Sequence, residues 1–291
     1  MKPRSSRRSP AAPSRAPAST STKRSRAYIR ACCRCGTSLR IVNLAHGSYF
    51  LLGGYVGLTT AARTKSFALA LLSGSLAVAL IGLGMERFFL RRLTRQSLPQ
   101  VLLTMGFALV FQDLALLVWG GDPYNIAVPA FLAQSVQAGP VFVNFYRLFI
   151  IGVAFAVGVV LWLFLERTRA GASIRATVDD AEMAQGVGIN VPLLSAGVFA
   201  LGAFLAALGG VVGAGFIGVY PGLDFEVLPY AFVVVIIGGL GSFHGVVVGS
   251  LVVGLLDNFG KALFPELSYF TLFAPMALIL ALKPTGLFGK R

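Results

Sequence analysis

Residues 32–47 read CCRCGTSLRIVNLAHG, and the character of the chain changes within them. Before Gly36 stand cysteines and an arginine; from Ile41 an apolar, glycine-punctuated run continues through Ala62. About 20 mostly apolar residues at 1.5 Å rise each cross the hydrocarbon core of a bilayer as a helix. The second half of the stretch therefore sets the fold class, because seven similar runs follow: 66–85, 98–119, 146–165, 193–218, 227–241, 245–260 and 269–283. The expected architecture is all-α, a polytopic transmembrane helix bundle of about eight apolar segments. The sixth, 227–241, covers only about 20 Å and is expected to be re-entrant or to depend on its neighbours.

Composition agrees. The 291 residues are 56% hydrophobic and 12% charged, with mean hydropathy +0.78, whereas soluble domains carry roughly 25% charge. The net charge of +14 suggests nucleic acid until it is located. Ten of the 25 Lys and Arg residues fall in positions 1–38, and no acid precedes Glu86. The remainder carries 15 bases against 11 acids, ordinary for a membrane protein with basic cytoplasmic loops. No basic face with interleaved aromatics accompanies the arm, so no nucleic-acid partner is expected.

Residues 1–35 form a basic segment of Ser, Arg, Pro and Ala that cannot bury enough apolar surface to fold. A secretory signal needs an apolar core of about 7–15 residues, and none precedes Ile41. Three readings stay open: a disordered arm, an Arg- and Ser-rich transit peptide, and a segment translated in the wrong frame or from the wrong start. Codons for Ala31-Cys32-Cys33-Arg34-Cys35, read one nucleotide later, permit Leu followed by Ala or Val, so an apolar helix can be hidden there. All three cysteines lie in this cluster, and the only histidines, His46 and His244, lie in apolar runs. Neither a metal site nor a disulfide framework is expected.

Orientation follows from the loops. The connection 86–95 is basic, as is the segment with Arg167, Arg169 and Arg175, while 120–145 has no Lys or Arg. The first two are read as cytoplasmic. Counting onward places Asp224 and Glu226 in an outer loop and the C-terminus, ending Lys290-Arg291, in the cytoplasm; Arg63 and Lys65 land outside and break the rule. Polar residues within spans are functional candidates by default. Asn43, His46 and Gly47 are assigned to the substrate path or gate, with interhelical hydrogen bonding as the alternative. Gln112, Asp113 and His244 are weaker candidates.

Small residues recur at every fourth position: Gly202, Ala206, Gly210 and Ala214 on one run, and Gly241, Gly245 and Gly249 around a turn. This spacing makes a smooth face on which helices approach closely. Between the spans lies a polar insertion, 167–192, in which Ser173 is expected to cap a helix through about Gln185, with Gly186, Gly188 and Pro192 ending it. Such a helix on the cytoplasmic face suits docking to a partner.

Five blocks occur in order: RIVNLAHGSYFLLGGY at 40–55, LPQVLLTMGFALVFQD at 98–113, DDAEMAQGVGIN at 179–190, VVIIGGLGSFHGVVVGSLVVG at 234–254 and KPTGLFGKR at 283–291. Together they resemble the LivH-type permease subunit of branched-chain amino acid ABC transporters, from about residue 36 to the end. The resemblance implies a membrane domain over 36–291 in the inner membrane. A periplasmic binding protein would deliver substrate to a permease pair, a heterodimer by family expectation, and two cytoplasmic ATPases would drive the change of access. It makes 167–192 the coupling loop, with Asp179, Asp180, Glu182, Met183, Ala184, Gly188, Ile189 and Asn190 as ATPase contacts. It also implies an apolar helix before the RIVNLAHG block, where this chain has the basic segment and CCRC.

No phosphate-cradling GxxxxGK[ST] occurs, so ATP hydrolysis is assigned to other subunits, and no cofactor is called for. A passive channel leaves the cytoplasmic helix without a use. A membrane-embedded enzyme lacks HExxH and GxSxG, and no catalytic residue is assigned. Urea and short amides remain alternatives to branched-chain amino acids as cargo.

Overall fold

The computed structural model describes residues 43–289 except 94, 95, 130, 133, 139, 140, 240, 264 and 284. The basic segment and the cysteine cluster lie outside the described residues. The chain is mostly helical: α1 (His46–Thr64), α2 (Phe67–Phe88, followed by a 3-10 turn Leu90–Leu93), α3 (Ser97–Trp119), α4 (Phe145–Arg167), α5 (Arg169–Asp179), α6 (Ala181–Gly186), α7 (Val191–Ala214), α8 (Leu223–Gly238), α9 (Phe243–Leu263) and α10 (Ser268–Leu282). Five of these, α2, α3, α4, α7 and α9, are long and apolar enough to cross a membrane. Helices α1, α8 and α10 occupy the other three expected segments.

The helical class holds, with one short addition: β1 (Ser135–Ala138) and β2 (Val141–Asn144) pair antiparallel in the 120–145 connection. Two expectations are corrected. The fifth run stops at Ala214, not 218, because Val219 exchanges two backbone hydrogen bonds with Tyr124, at 2.9 and 2.7 Å. The insertion holds two helices instead of one. Thr168 caps α5 by accepting from Gly171 N, and Asp180 caps α6 by accepting from Glu182 N and Met183 N at 2.9 and 3.0 Å. Ser173 is interior to α5 and donates back to the Arg169 carbonyl.

The core sits where α1, α2 and α7 meet, with α3 against α1. Tyr49, Val78, Ala203 and Ala207 form one cluster, and Leu51, Tyr55, Val211 and Leu223 another; all are at most 2% exposed. Glycine makes this approach possible. A Cβ on Gly53 would stand 2.5 Å from Ala207 Cα, and one on Gly210 would collide with the Phe50 carbonyl. A smaller unit of α8, α9 and α10 packs around Val233, Ile237, Val253 and Leu272. There a Cβ on Gly245 would collide with the Gly238 carbonyl, and one on Gly249 would stand 2.8 Å from Val234 O.

The small-residue positions are thus not equivalent. Gly210, Gly245 and Gly249 face backbone, Ala206 borders the first cluster, and a Cβ on Gly202 would meet only His46 Cε1, at 3.4 Å. Gly241 is a correction: it has φ +86° in the turn before α9, with nothing within 4 Å of a Cβ, so it serves the turn and not helix packing.

Candidate functional site

The Asn43–Gly47 block begins α1 with a local turn. Asn43 Oδ1 accepts from Ala45 N at 3.1 Å, and the Asn43 carbonyl accepts from His46 N, the side-chain turn that Asn favours. Its neighbours fix its depth. Leu44 N donates to Thr104 Oγ1, and Thr104 lies seven residues into α3, about 10 Å from that helix's start. His46 lies beside Gly202, eleven residues and about 16 Å into α7. Gly57 meets Val211 farther along, so α1 and α7 run in the same direction. Helix α1 therefore begins a third to a half of the way along its long neighbours.

Helix α8 begins at the same level. A Cβ on Gly47 would come within 2.5 Å of the Asp224 carbonyl, and Ser48 Oγ donates to Asp224 Oδ2 at 2.9 Å. Both side chains are buried, at 1% and 2% exposure. Asp224 Oδ1 has no hydrogen-bond partner among the described residues. Asp224 is therefore not in an outer loop: after α7 the chain turns back through Val219, which packs on Gly54, and re-enters the bundle before α8 starts. A buried carboxylate with one free oxygen is costly without a use.

The assigned residues divide. Asn43 builds the turn, His46 is exposed with its ring edge-on to Tyr49 at 6.3 Å, and Gly47 is the surface on which α8 rests. Sequence reading missed Ser48 and Thr104, and misplaced Asp224. A Ser one residue after the glycine of an apolar run was the available signal. Gln112 approaches Gly222, whereas Asp113 and His244 are exposed.

On the polar insertion, Glu182 and Met183 are exposed and Asp179 ends α5. Met183 and Val187, one turn apart, are 69% and 82% exposed. Ala184 is a correction: at 5% exposure it faces its own chain and offers a partner no surface. Asp180 is committed to capping α6, and Asn190 caps α7 by accepting from Leu193 N at 3.2 Å. Gly188, with φ +93°, ends the segment, and Ile189 N bonds back to the Ala184 carbonyl. A 3.3 Å salt bridge between Arg175 and Glu166, with a bond from Arg175 to the Leu165 carbonyl, ties α5 to the end of α4.

Comparison with known proteins agrees with this architecture. The chain is 28% identical over 267 residues to the high-affinity branched-chain amino acid transport system permease protein BraD of Pseudomonas aeruginosa, covering 86% of each. It is 27% identical to the corresponding LivH of Escherichia coli K12, again over 86% of each chain. Similarity to the ribose import permease RbsC of Haemophilus influenzae is 29% over 72% of this chain and 62% of that one. No solved structure matches. Residues 37–282 match the family model described as the branched-chain amino acid transport system permease component, and the chain belongs to that family.

Proposed function

We propose that the chain is the permease subunit of an ABC importer that carries branched-chain amino acids across the inner membrane. The observation that carries this reading is the extent of similarity: 86% of each chain for BraD and LivH, and a family match over 37–282, which takes in the polar insertion and the described helices from α1 to α10. Separate ATPase subunits supply the energy, a periplasmic binding protein delivers the substrate, and a second permease completes a heterodimer. The insertion 167–192 is the coupling loop, with Glu182, Met183 and Val187 on the ATPase side and Asp179, Gly188 and Ile189 at its edges. The eight apolar segments lie in the bilayer, and the C-terminus is cytoplasmic.

In the mechanism the Ser48–Asp224 bond joins the starts of α1 and α8 inside the bundle, beside the Asn43–Gly47 block. Closure of the ATPases moves α5 and α6, which are joined to α4 by the Arg175–Glu166 pair and to α7 by the short turn 187–190, where Ile189 N bonds back to the Ala184 carbonyl. Displacement there alters how α7 lies on α1, and so opens or closes the bundle beside the buried carboxylate.

The test is uptake of radiolabelled leucine by vesicles holding the complete complex, with isoleucine, valine, urea and acetamide as competitors. The expected result is ATP-dependent uptake that requires the binding protein and is competed only by the amino acids. Uptake competed by urea or acetamide, or uptake without ATP, overturns the reading. Met183→Asp is expected to abolish uptake while the permease still assembles.

A further inference from the structure

Outside the Ser48–Asp224 pair, the richest polar group among the described residues sits where α8 faces α9. Tyr230 Oη donates to Asp257 Oδ1 at 3.2 Å, and Lys261 Nζ donates to Asp257 Oδ2 at 2.8 Å and to Tyr230 Oη at 3.0 Å. The ammonium also stands 5.3 Å from the centre of the Tyr230 ring. Two of its three N–H donors are thereby used, and the side chain is 48% exposed. One helical turn before Tyr230, Glu226 is exposed and accepts from Tyr220 Oη at 2.7 Å.

Glu226, Tyr230 and Lys261 border a cleft of about 310 Å³ whose other walls include Phe225, Leu272 and Phe273. It lies on the opposite end of α9 from the C-terminal segment, sixteen residues and about 24 Å from Gly245. Asp257 and Lys261 lie on the membrane-crossing α9 and Glu226 on the apolar α8; charged groups on such helices face a wetted path and not hydrocarbon. By contrast, the exposed side chains of α4 between Leu148 and Leu163 are all apolar.

We propose that this cleft binds the zwitterion of an apolar amino acid: the free donor of Lys261 takes the carboxylate, Glu226 takes the ammonium, and Phe225, Leu272 and Phe273 hold the aliphatic side chain. The charges match. The cleft offers one cation, held in place by Asp257, and one acid whose hydrogen bond comes from the neutral Tyr220 and which forms no salt bridge among the described residues; its size is at the small end of ligand pockets. The proposal rests on the amino-acid importer reading and adds to it a location and a recognition chemistry. With the C-terminus in the cytoplasm, the cleft opens toward the side from which substrate arrives.

The experiment uses the full complex in nanodiscs with Phe273→Cys as reporter, its modification by a charged maleimide timed with leucine, leucinamide or N-acetylleucine present. Leucine is expected to slow modification, while the analogues, each lacking one charge, do not. Lys261→Gln is expected to raise the leucine concentration for half-protection about tenfold, the loss of one charge-assisted bond, and Lys261→Arg to restore it. Absence of protection in a reporter complex that itself imports leucine, with the exposed Phe270→Cys serving where Phe273→Cys does not import, overturns the cleft alone, as does equal protection by both analogues. A wild-type complex that imports no leucine removes the amino-acid reading and the cleft with it. The reporter keeps all charged groups native, so the test stands even where Lys261→Gln fails to assemble.

Discussion

Helices α4 and α7 are nearly the same length, 23 and 24 residues, and both are apolar enough to cross a membrane, α4 the more so, with mean hydropathy 2.8 against 2.2. Their surroundings are opposite. Along α7, Ala203, Ala207, Val211 and Ala214 are buried against α1 and α2. Along α4 only Tyr146 is buried, through a bond to the Val212 carbonyl, while Ile151, Phe155 and Val160 are 64%, 73% and 65% exposed. Hydropathy says that a helix enters a membrane; side-chain size says what it meets there. In lipid the apolar surface gives helices no incentive to associate, so only a face of small residues lets backbones come close enough for dispersion to hold them.

Substitutions can break or sharpen this contrast. The largest effect is expected for Gly210→Leu, whose side chain must displace the Phe50 carbonyl; a loss of about 3 kcal/mol or more should appear as failure to recover folded protein in detergent. Were it tolerated, the close seam between α1 and α7 would not hold the bundle. Ser48→Ala comes next. It removes the one side-chain hydrogen bond that the buried Asp224 carboxylate accepts among the described residues, at about 1–3 kcal/mol, and thermal unfolding in nanodiscs should shift downward. Gly202→Ala meets only a histidine ring that can turn aside, so its effect is expected within about 1 kcal/mol. Phe155→Ala on α4 is expected to leave the unfolding midpoint of the isolated subunit unchanged, within about 0.5 kcal/mol. A large shift there would mean that α4 packs on its own chain after all.

The same contrast explains what could be read from sequence. The long runs were legible because lipid imposes one requirement on every residue of a span, and α2, α3, α4, α7 and α9 lie where hydropathy puts them. Gly210 and Gly245 were legible from spacing alone, since any helix that approaches closely needs a small face. Gly241 was not, because a turn glycine and a packing glycine look alike until φ is known. The split of the insertion at Asp180 was missed because Ser173 and Asp180 are both good caps, and only Asp180 has the extended backbone, φ −151° and ψ 104°, that a cap needs. The level of the Asn43 block was hidden in Thr104 and Gly202, some 60 and 160 residues away in sequence, so Asp224 was placed in a loop. Asp257 and Lys261 did carry a local signal, an i,i+4 charge pair inside an apolar run, but Tyr230 joins them only through the folding of α8 onto α9.

The seam between the first two helices and α7 also sets an order of events during synthesis. Helices α1 and α2 are complete by Phe88, yet the helix that fills their glycine-lined face begins at Val191, about 100 residues later. At translation rates of roughly 5–20 residues per second that is about 5–20 s, during which α3 and α4 emerge without covering the gap. The early hairpin must wait in the membrane with its best binding face open, and whatever shields it in that interval is part of how this protein reaches its native form.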